Sequence, residues 1–464
     1  MPPISRPDER PLLTFYGDDF TGSTDALEAV ASAGLPAMLF LRTPTPADLA
    51  RYPGLAAVGV AGTSRSRSPA WMDTELPATF RALQALGAPF CHYKTCSTFD
   101  SAPHVGNIGR AAEIGQDVFG GAVMVVVGVP RHQRFVVFST LFAAGSFSGS
   151  EDIFRIDRHP TMRRHPVTPM DEADLRLHLA RQTTRRIVGF DFRRMLREDA
   201  DAALAAEIDA GADMVILDGF DAATMQACGR LLASRGAAQP VFLVGSSGVE
   251  YALAPTLVGM TGQPPRLPPD SCGPAERLVI ACGSCSPVTE RQIAWAEANG
   301  FALIAADTAA MVARREDASW PARLATQVTE ALRDHAGVVL HTARGGDDPR
   351  LAPTREALQR SGLAPSDSAS ILGGLLGQTL REVIAATGLR RVMLAGGDSS
   401  SHTAQAMGIE ALEMLAPLLP GAPLCRIRAR DPALDGVEIV MKGGQVGGPD
   451  CFGTVLNGHA GRQR

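Results

Sequence analysis

Tyr16-Gly17-Asp18-Asp19-Phe20-Thr21-Gly22-Ser23-Thr24-Asp25 is the stretch on which the reading of this chain turns. An apolar run over 12–16 precedes it and a helix-like run over 26–33 follows, so the sequence predicts a strand, a tight polar turn and a helix start. Open α/β sheets bind their ligands at such turns, beyond the carboxyl ends of the strands. Gly17 and Gly22 would allow a positive φ or a close backbone approach, while Ser23, Thr24 or Asp25 could cap the helix and leave amide N–H groups facing outward. Such groups suit a phosphate. Three carboxylates, Asp18, Asp19 and Asp25, crowd the same turn, however, and oppose a bare phosphate unless a cation intervenes. The hydroxyl groups of a polyol suit them better.

The same strand and helix rhythm extends along the chain. Strands are expected at 37–41, 56–60, 89–93, 122–127, 186–189, 214–217 and 240–244, with helices at 71–86, 172–182, 200–210 and 222–234. Residues 136–170, with Phe138, Phe142, Phe147 and a run of His and Arg, break the rhythm and read as an inserted, function-bearing loop region. Residues 261–274, TGQPPRLPPDSCGP, carry five prolines in fourteen residues, which makes an extended, stiff segment. A domain boundary is expected there, with a first domain over 1–262 and a second over 263–464. The second repeats the rhythm with strands at 278–282, 302–305, 338–341 and 391–395, helices at 287–299, 321–333, 368–387 and 401–407, and short β segments over 423–455. The expected fold class is α/β, with two domains, each a mostly parallel sheet flanked by helices, joined by a Pro-rich linker.

Size and composition agree with this. A chain of 464 residues exceeds one ordinary core, and 45% hydrophobic with 20% charged residues is a globular balance. A formal charge of −5 offers no electrostatic reason to bind nucleic acid. Eight cysteines behind a polar, proline-rich start that lacks a secretory apolar region read as reduced thiols of a cytoplasmic protein, and no apolar run approaches a membrane span.

Loops at the other strand ends carry further chemistry. In the second domain Gly396-Gly397-Asp398-Ser399-Ser400-Ser401-His402 joins a strand to a helix, where glycines, hydroxyls and a helix N-terminus suit a di- or triphosphate. It is neither a Walker loop nor a GxGxxG turn, and an ordinary glycine-rich turn is the other reading. Lys442-Gly443-Gly444-Gln445-Val446-Gly447-Gly448 sets one lysine in a flexible glycine loop, able to bring a point charge to a phosphate. Cys282-Gly283-Ser284-Cys285-Ser286 could join the same site through Ser284 and Ser286; its C-x-x-C spacing also permits a redox or zinc reading, without a second pair to complete it. No metal site is expected from the protein's own residues. In the first domain Arg65 follows the strand at 56–60, Lys94-Thr95-Cys96-Ser97-Thr98-Phe99-Asp100-Ser101 follows that at 89–93, and Gly106-Asn107-Ile108-Gly109 opens a helix. With Asp18 and Asp19 these loops would ring one crevice with carboxylates, cations and hydroxyls, a mixture that binds a small hydroxylated acid. The basic run Arg163-Arg164-His165-Pro166-Val167-Thr168-Pro169-Met170 reads as solvated surface or as an anion clamp or lid; Gly245-Ser246-Ser247-Gly248 reads as a turn or an anion nest; His159, His165 and His402 read as structural.

Taken in order, GDDFTGSTD at 17–25, KTCSTFDS at 94–101, GNIG at 106–109, RHPVTPM at 164–170, GSSG at 245–248, GSCS at 283–286, GGDSSS at 396–401 and KGGQVGGPDCF at 442–452 resemble the motifs of the four-carbon acid sugar kinases. The likeness covers nearly the whole chain. It implies an N-terminal domain that binds a sugar acid and a C-terminal domain that binds ATP, with phosphate added to a terminal hydroxyl of threonate, erythronate or 3-oxo-tetronate. It implies substrate contacts at Asp18, Asp19, Arg65, Lys94, Thr95, Cys96 and Ser97, to which the residue reading adds Asp100 and Asn107. It implies nucleotide contacts at Ser284, Gly396, Gly397, Asp398, Ser399, Gly443 and Gly444, beside Lys442. Asp19, or Asp18 in its place, is the expected base, Arg65 and Lys94 the expected carboxylate holders, and Mg²⁺ the expected companion of ATP. Domain closure across the linker would exclude water. The implied partners are a sugar acid and ATP/ADP, without nucleic acid or membrane, and a homodimer is the assembly kept open. Two other classes, a nicotinamide-dependent dehydrogenase and a non-enzymatic sensor, lack a GxGxxG turn and a helix-turn-helix respectively. Val129-Pro130-Arg131-His132-Gln133-Arg134-Phe135 departs from the family's Pro-x-x-Gly-Arg pattern.

Overall fold

The computed structural model describes residues 10–145, 152–165 and 167–459, and the chain divides into two compact units, Met1–Leu267 and Pro268–Arg464. Phe147 and Pro166, both named above, lie outside the described residues.

In the first unit the strands are β1 (Leu13–Gly17), β2 (Ala37–Phe40), β3 (Ala57–Ala61), β4 (Phe90–Lys94), β5 (Val123–Val126), β6 (Arg134–Val137), β7 (Thr140–Ala144), β8 (Ile153–Arg155), β9 (Ile187–Phe190), β10 (Met214–Leu217) and β11 (Val241–Gly245). The large sheet runs β2-β3-β1-β4-β11-β5-β10-β9 with every neighbouring pair parallel. Helices cover both faces, which is why β1, β3, β4, β5, β10 and β11 read as nearly unbroken apolar runs and are buried along their whole length. The chain leaves β1 toward β2 on one side and β4 toward β5 on the other. The carboxyl ends of β1 and β4 therefore flank a topological switch point, the crevice such sheets offer to ligands.

The described part of the region read as an inserted loop is regular structure. β6, β7 and β8 form an antiparallel three-stranded sheet followed by short helical turns at Ile156–Arg158 and Met162–Arg164. Val136, Leu141, Ala143 and Ile156 join the unit's core, and Asp218 beyond β10 accepts the N–H groups of Phe138 (2.8 Å) and Ser139 (2.9 Å), which turn the hairpin at positive φ.

The second unit contains β12 (Leu278–Cys282), β13 (Ala302–Ala305), β14 (Gly337–His341), β15 (Arg391–Ala395), β16 (Ala411–Leu419), β17 (Ala422–Arg428) and β18 (Glu438–Lys442). The order β13-β14-β12-β15-β18 is parallel, and β17 and β16 extend it antiparallel. Its first four strands repeat the order of β2-β3-β1-β4, so β12 and β15 flank a second switch point. The segment expected as short β pieces is only partly so: β17 and β18 are followed by the glycine-rich loop and a helix, Cys451–Asn457. Buried Arg391 fixes that end, pairing with Glu438 Oε2 (2.7 Å) and donating to the carbonyls of Val455 (2.8 Å) and Gly273 (3.1 Å). No helix among the described residues is long and apolar enough to cross a membrane.

Gly17, the last residue of β1, has no positive φ; what it provides is close approach, because a Cβ there would fall on Ser23 Oγ. Ser23 Oγ donates to the Asp19 carbonyl (2.5 Å) and so closes the turn. Gly17→Ala is expected to destabilise the chain by about 1–3 kcal/mol, read as a lower denaturation midpoint. An unchanged midpoint would show that the turn yields freely.

Candidate functional site

Arg65, in the turn after β3, donates Nη2 to Asp18 Oδ1 (2.7 Å), Nε to Asp18 Oδ2 (3.1 Å) and Nη1 to Asp19 Oδ2 (2.9 Å). One guanidinium thus ties the two carboxylates of the turn after β1. Asp19 is the N-cap of the helix Phe20–Ser32, its Oδ1 accepting from Gly22 N (2.8 Å) and its Oδ2 also taking Thr21 Oγ1 (3.1 Å). This corrects the expected cap at Ser23, Thr24 or Asp25 and starts the helix six residues early. Asp18 is 4% exposed, and burial pushes its carboxyl up to about 6, outweighing the pull of Arg65 while neighbouring Asp19 pushes the same way.

Lys94, the last residue of β4, is fully buried, donating to the Thr95 carbonyl (3.0 Å) and lying 3.4 Å from Asp25 Oδ2. Asp25 Oδ1 is buried without a hydrogen-bond donor, and His132 Nδ1 lies 3.9 Å from it. His132, in the turn after β5, is held toward its neutral form by burial. Arg131 beside it is exposed and stacks its guanidinium on Tyr251 at 4.8 Å.

The other expected substrate residues divide. Thr95 donates Oγ1 to the Gly245 carbonyl (3.0 Å), and Cys96 Sγ receives Thr98 Oγ1 (2.9 Å), while Ser97 is buried in the same loop. Asp100 accepts from Thr98 Oγ1 (2.6 Å) and Thr168 Oγ1 (2.9 Å); the Thr168 hydroxyl also meets His165 Nδ1 at 2.9 Å, which ties the described part of the basic run to this loop. Asn107 is the N-cap of the helix Ile108–Phe119, with Oδ1 taken by Arg110 N (2.6 Å) and Nδ2 given to the Pro103 carbonyl (3.0 Å). Its amide is spent on the fold. Ser246 bonds the Val127 carbonyl (2.7 Å) and its own helix start, so the GSSG segment is a strand-to-helix turn. His159 accepts two backbone N–H groups at 3.2 Å and lies 2.9 Å from the Ala144 carbonyl, a structural role.

In the second unit the helix Asp398–Met407 begins at Asp398, three residues before expectation, with Gly397 as an N-cap that offers no side chain. Its free N–H groups open on a cavity of about 370 Å³ lined at that end by Gly283, Cys285, Gly397, Asp398 and Ser399. Gly396 lies buried behind them, its N–H bonded to the Lys442 carbonyl (3.0 Å). The rest of the lining combines apolar Ala343, Leu351, Leu358, Pro365, Ala369 and Leu372 with Thr308, Thr342, Thr354, Ser368 and Arg355. These residues were not anticipated, because the helix Leu351–Arg360 was not; the seven-residue spacing of Leu351 and Leu358 was the available signal.

The glycine segment after β18 is held rather than flexible. Ser286 Oγ donates to the Gly444 carbonyl, Thr289 Oγ1 bonds both that carbonyl (3.0 Å) and Ser284 Oγ (3.1 Å), and buried Gln292 donates Nε2 to the carbonyls of Val446, Gly447 and Gly448. Lys442 is also buried, its ammonium facing Thr289 Oγ1 (3.2 Å) and the Gly443 carbonyl (3.1 Å), and burial lowers its pKa. The expected point charge on an open loop is thus a buried buttress under a fixed one. All eight cysteines are free thiols, and among the described residues no group of three or more His, Cys, Asp or Glu could hold a metal ion.

Residues 13–253 match the model of a sugar-binding N-terminal domain and residues 279–452 that of a nucleotide-binding C-terminal domain. A 3-oxo-isoapionate kinase of Paraburkholderia graminis is 45% identical over 451 residues, covering 96% of this chain and 94% of that one. A 3-oxo-tetronate kinase of Methylobacterium radiotolerans is 30% identical, covering 96% and 98%, and one of Cupriavidus necator is 28% identical, covering 96% and 97%. Among solved structures, a Salmonella typhimurium LT2 chain superposes with a TM-score of 0.72 at 23% identity (95% and 98% covered) and a Haemophilus influenzae protein with 0.68 at 19% (95% and 98% covered), likenesses of fold.

Asp18 gives the site a pH signature. With the carboxyl raised from 3.8 to about 6, the native state keeps a proton that the unfolded chain has released between those values. The Asp18 contribution to stability is therefore fully present below that window and is lost as pH rises through it. Asp18→Asn removes this dependence. Its stability relative to the parent chain is expected to rise by on the order of 3 kcal/mol between about pH 4 and pH 7, read from urea denaturation. Parallel curves for the two proteins would contradict the assignment.

Proposed function

The chain belongs to the four-carbon acid sugar kinase family and is an ATP-using sugar-acid kinase, and from that premise we propose that it phosphorylates a terminal hydroxyl of a short 3-oxo sugar acid. The observation that carries the donor side is the uncapped N-terminus of the helix Asp398–Met407, opening on a cavity whose lining includes Leu351, Leu358 and Leu372. An adenine ring suits the slot between Leu351, Leu358 and Leu372, and a phosphate chain suits the N–H groups at Gly397–Ser399. Ser284, Gly443 and Gly444 border the same loops, and buried Lys442 adds positive potential beneath them. Asp398 is the one carboxylate among the cavity's lining residues and is exposed, which fits an ion that takes one or two carboxylates and completes its shell with phosphate oxygens and water. Mg²⁺ held there would neutralise charge on the phosphates during transfer.

On the acceptor side, the names of the relatives share a 3-oxo acid, which favours 3-oxo-isoapionate and 3-oxo-tetronate over threonate and erythronate. Arg65 and Lys94, expected to hold the carboxylate, already face Asp18, Asp19 and Asp25. Arg131 is exposed with no carboxylate at ion-pair distance among the described residues, and it takes that role in this proposal. Asp18, Asp19 and Arg65 then form a fixed wall of acceptors and donors for the hydroxyl groups. Free thiols and a need for ATP fit a cytoplasmic location.

A coupled ADP-release assay across 3-oxo-isoapionate, 3-oxo-tetronate, threonate and erythronate tests the reading. Turnover is expected with at least one 3-oxo acid and is expected to be slower with the two acids that lack the oxo group; stabilisation by ATP and an acid without turnover would leave a sensor instead. Two variants separate the sites. Ala369→Phe, which fills the apolar slot, is expected to raise KM for ATP about tenfold or more with little change for the acid, and Arg131→Met to do the converse. Equal effects on both substrates would count against the assignment of either residue.

A further inference from the structure

The hydroxyl that attacks a phosphoryl group needs an acceptor for its proton, and the question of which side chain supplies it rests on the kinase reading above. Four carboxylates lie at the first unit's switch point. In three of them each oxygen already accepts a donor. Asp19 caps a helix with Oδ1 and holds Arg65 and Thr21 with Oδ2. Asp18 faces the Arg65 fork with both oxygens, at 2.7 and 3.1 Å. Asp100 holds Thr98 at 2.6 Å and Thr168 at 2.9 Å.

Asp25 differs. Its Oδ2 lies 3.4 Å from the buried ammonium of Lys94, while Oδ1, shielded from solvent, accepts from no donor and has His132 Nδ1 at 3.9 Å, beyond hydrogen-bond reach. A desolvated carboxylate oxygen without a donor is destabilising, and a ligand hydroxyl would relieve it. The side chain as a whole is 15% exposed, so it stands at the margin of the crevice and not in the core. Its backbone is rigidly set, because the helix that carries it is pinned by the Asp19 cap, by Ser23 on the Asp19 carbonyl and by Thr24 Oγ1 on the Thr21 carbonyl (2.8 Å). The Lys94 ammonium gives the carboxylate a counter-charge at Oδ2, and the His132 ring lies beside the open oxygen.

We propose that Asp25 is the catalytic base and Lys94 its positioning residue. Asp25 Oδ1 takes the proton of the acceptor hydroxyl as that oxygen bonds to the γ-phosphorus; the bond from the γ-phosphorus to the bridging oxygen breaks, and its electron pair leaves on ADP. The acceptor hydroxyl then lies between Asp25 and His132, and the Asp18–Arg65–Asp19 assembly shapes the wall beside it without titrating in the reaction.

The full chain with a 3-oxo acid and ATP is the test. Absence of ADP release by the parent chain with every acid would sink the underlying kinase reading and not this assignment in particular. Given turnover, Asp25→Asn is expected to lower kcat at least about 100-fold while the affinity for ATP, measured by calorimetry, is unchanged. Formate added to Asp25→Ala is expected to restore part of the loss, a response that a merely structural carboxylate does not give. Retention of more than about a third of kcat by Asp25→Asn would overturn the proposal. Should loss of the Lys94 counter-charge unfold both variants, a crystal of the parent chain with the acid decides. A terminal hydroxyl oxygen within about 3.2 Å of Asp25 Oδ1 supports the proposal, and one on Asp18 or Asp19 instead refutes it.

Discussion

One guanidinium answers two carboxylates at the head of the first sheet, and the geometry of the proposed acceptor site follows from it. Arg65 comes from the turn after β3 and grips Asp18 and Asp19 after β1. Asp18 is buried while Arg65 and Asp19 are partly exposed, so removal of Arg65 would leave the Asp18 carboxylate buried without its cation, a change that typically costs about 3–5 kcal/mol. Asp19 passes the constraint on, because the oxygen not held by Arg65 starts the helix Phe20–Ser32, and that helix carries Asp25 to Lys94 at the end of β4. Burial dominates at Asp18, whose carboxyl is driven up to about 6 although a guanidinium lies against it.

The second unit solves a different problem on the same strand order. Both units place ligand loops after the central pair of a doubly wound sheet, β1 and β4 in one and β12 and β15 in the other. Where the first fills those loops with carboxylates matched by Arg65 and Lys94, the second builds them around glycines. Gly397 offers no cap, Gly283 and Gly396 keep the backbone low, and Ser286, Thr289 and Gln292 bind the glycine segment by its carbonyls. Carboxylates with oxygens to share suit hydroxyl groups; bare N–H groups suit phosphates. The division of labour between acceptor and donor follows from that difference.

Much of this was legible in the sequence. The strands at 214–217, 278–282, 302–305 and 391–395 coincide with the observed Met214–Leu217, Leu278–Cys282, Ala302–Ala305 and Arg391–Ala395, because short apolar runs bounded by polar or glycine residues leave little freedom in register. Helix starts were less legible. GDDFTGSTD and GGDSSS look like loops by composition, yet the helices begin inside them, at Phe20 and Asp398. A polar first turn is common where N–H groups are to stay open, so function itself hides the boundary. The insert at 136–170 was noticed for its aromatics but not as a sheet, since its anchor, Asp218, lies some 80 residues away. The apolar slot was missed because it is assembled from two helices and a loop. Asp18 and Asp19 drew attention as the first acids of the motif; which carboxylate keeps an open oxygen depends on Arg65 and Lys94, brought in from other strands, and no linear pattern carries that.

The ³¹P spectrum of the product made from ATP and a 3-oxo acid bears most directly on phosphoryl transfer to a terminal hydroxyl. A phosphate ester on a terminal methylene is expected, its signal split into a triplet by the two attached protons, with one equivalent formed per ADP. Inorganic phosphate alone, or a doublet from a secondary hydroxyl, would contradict it.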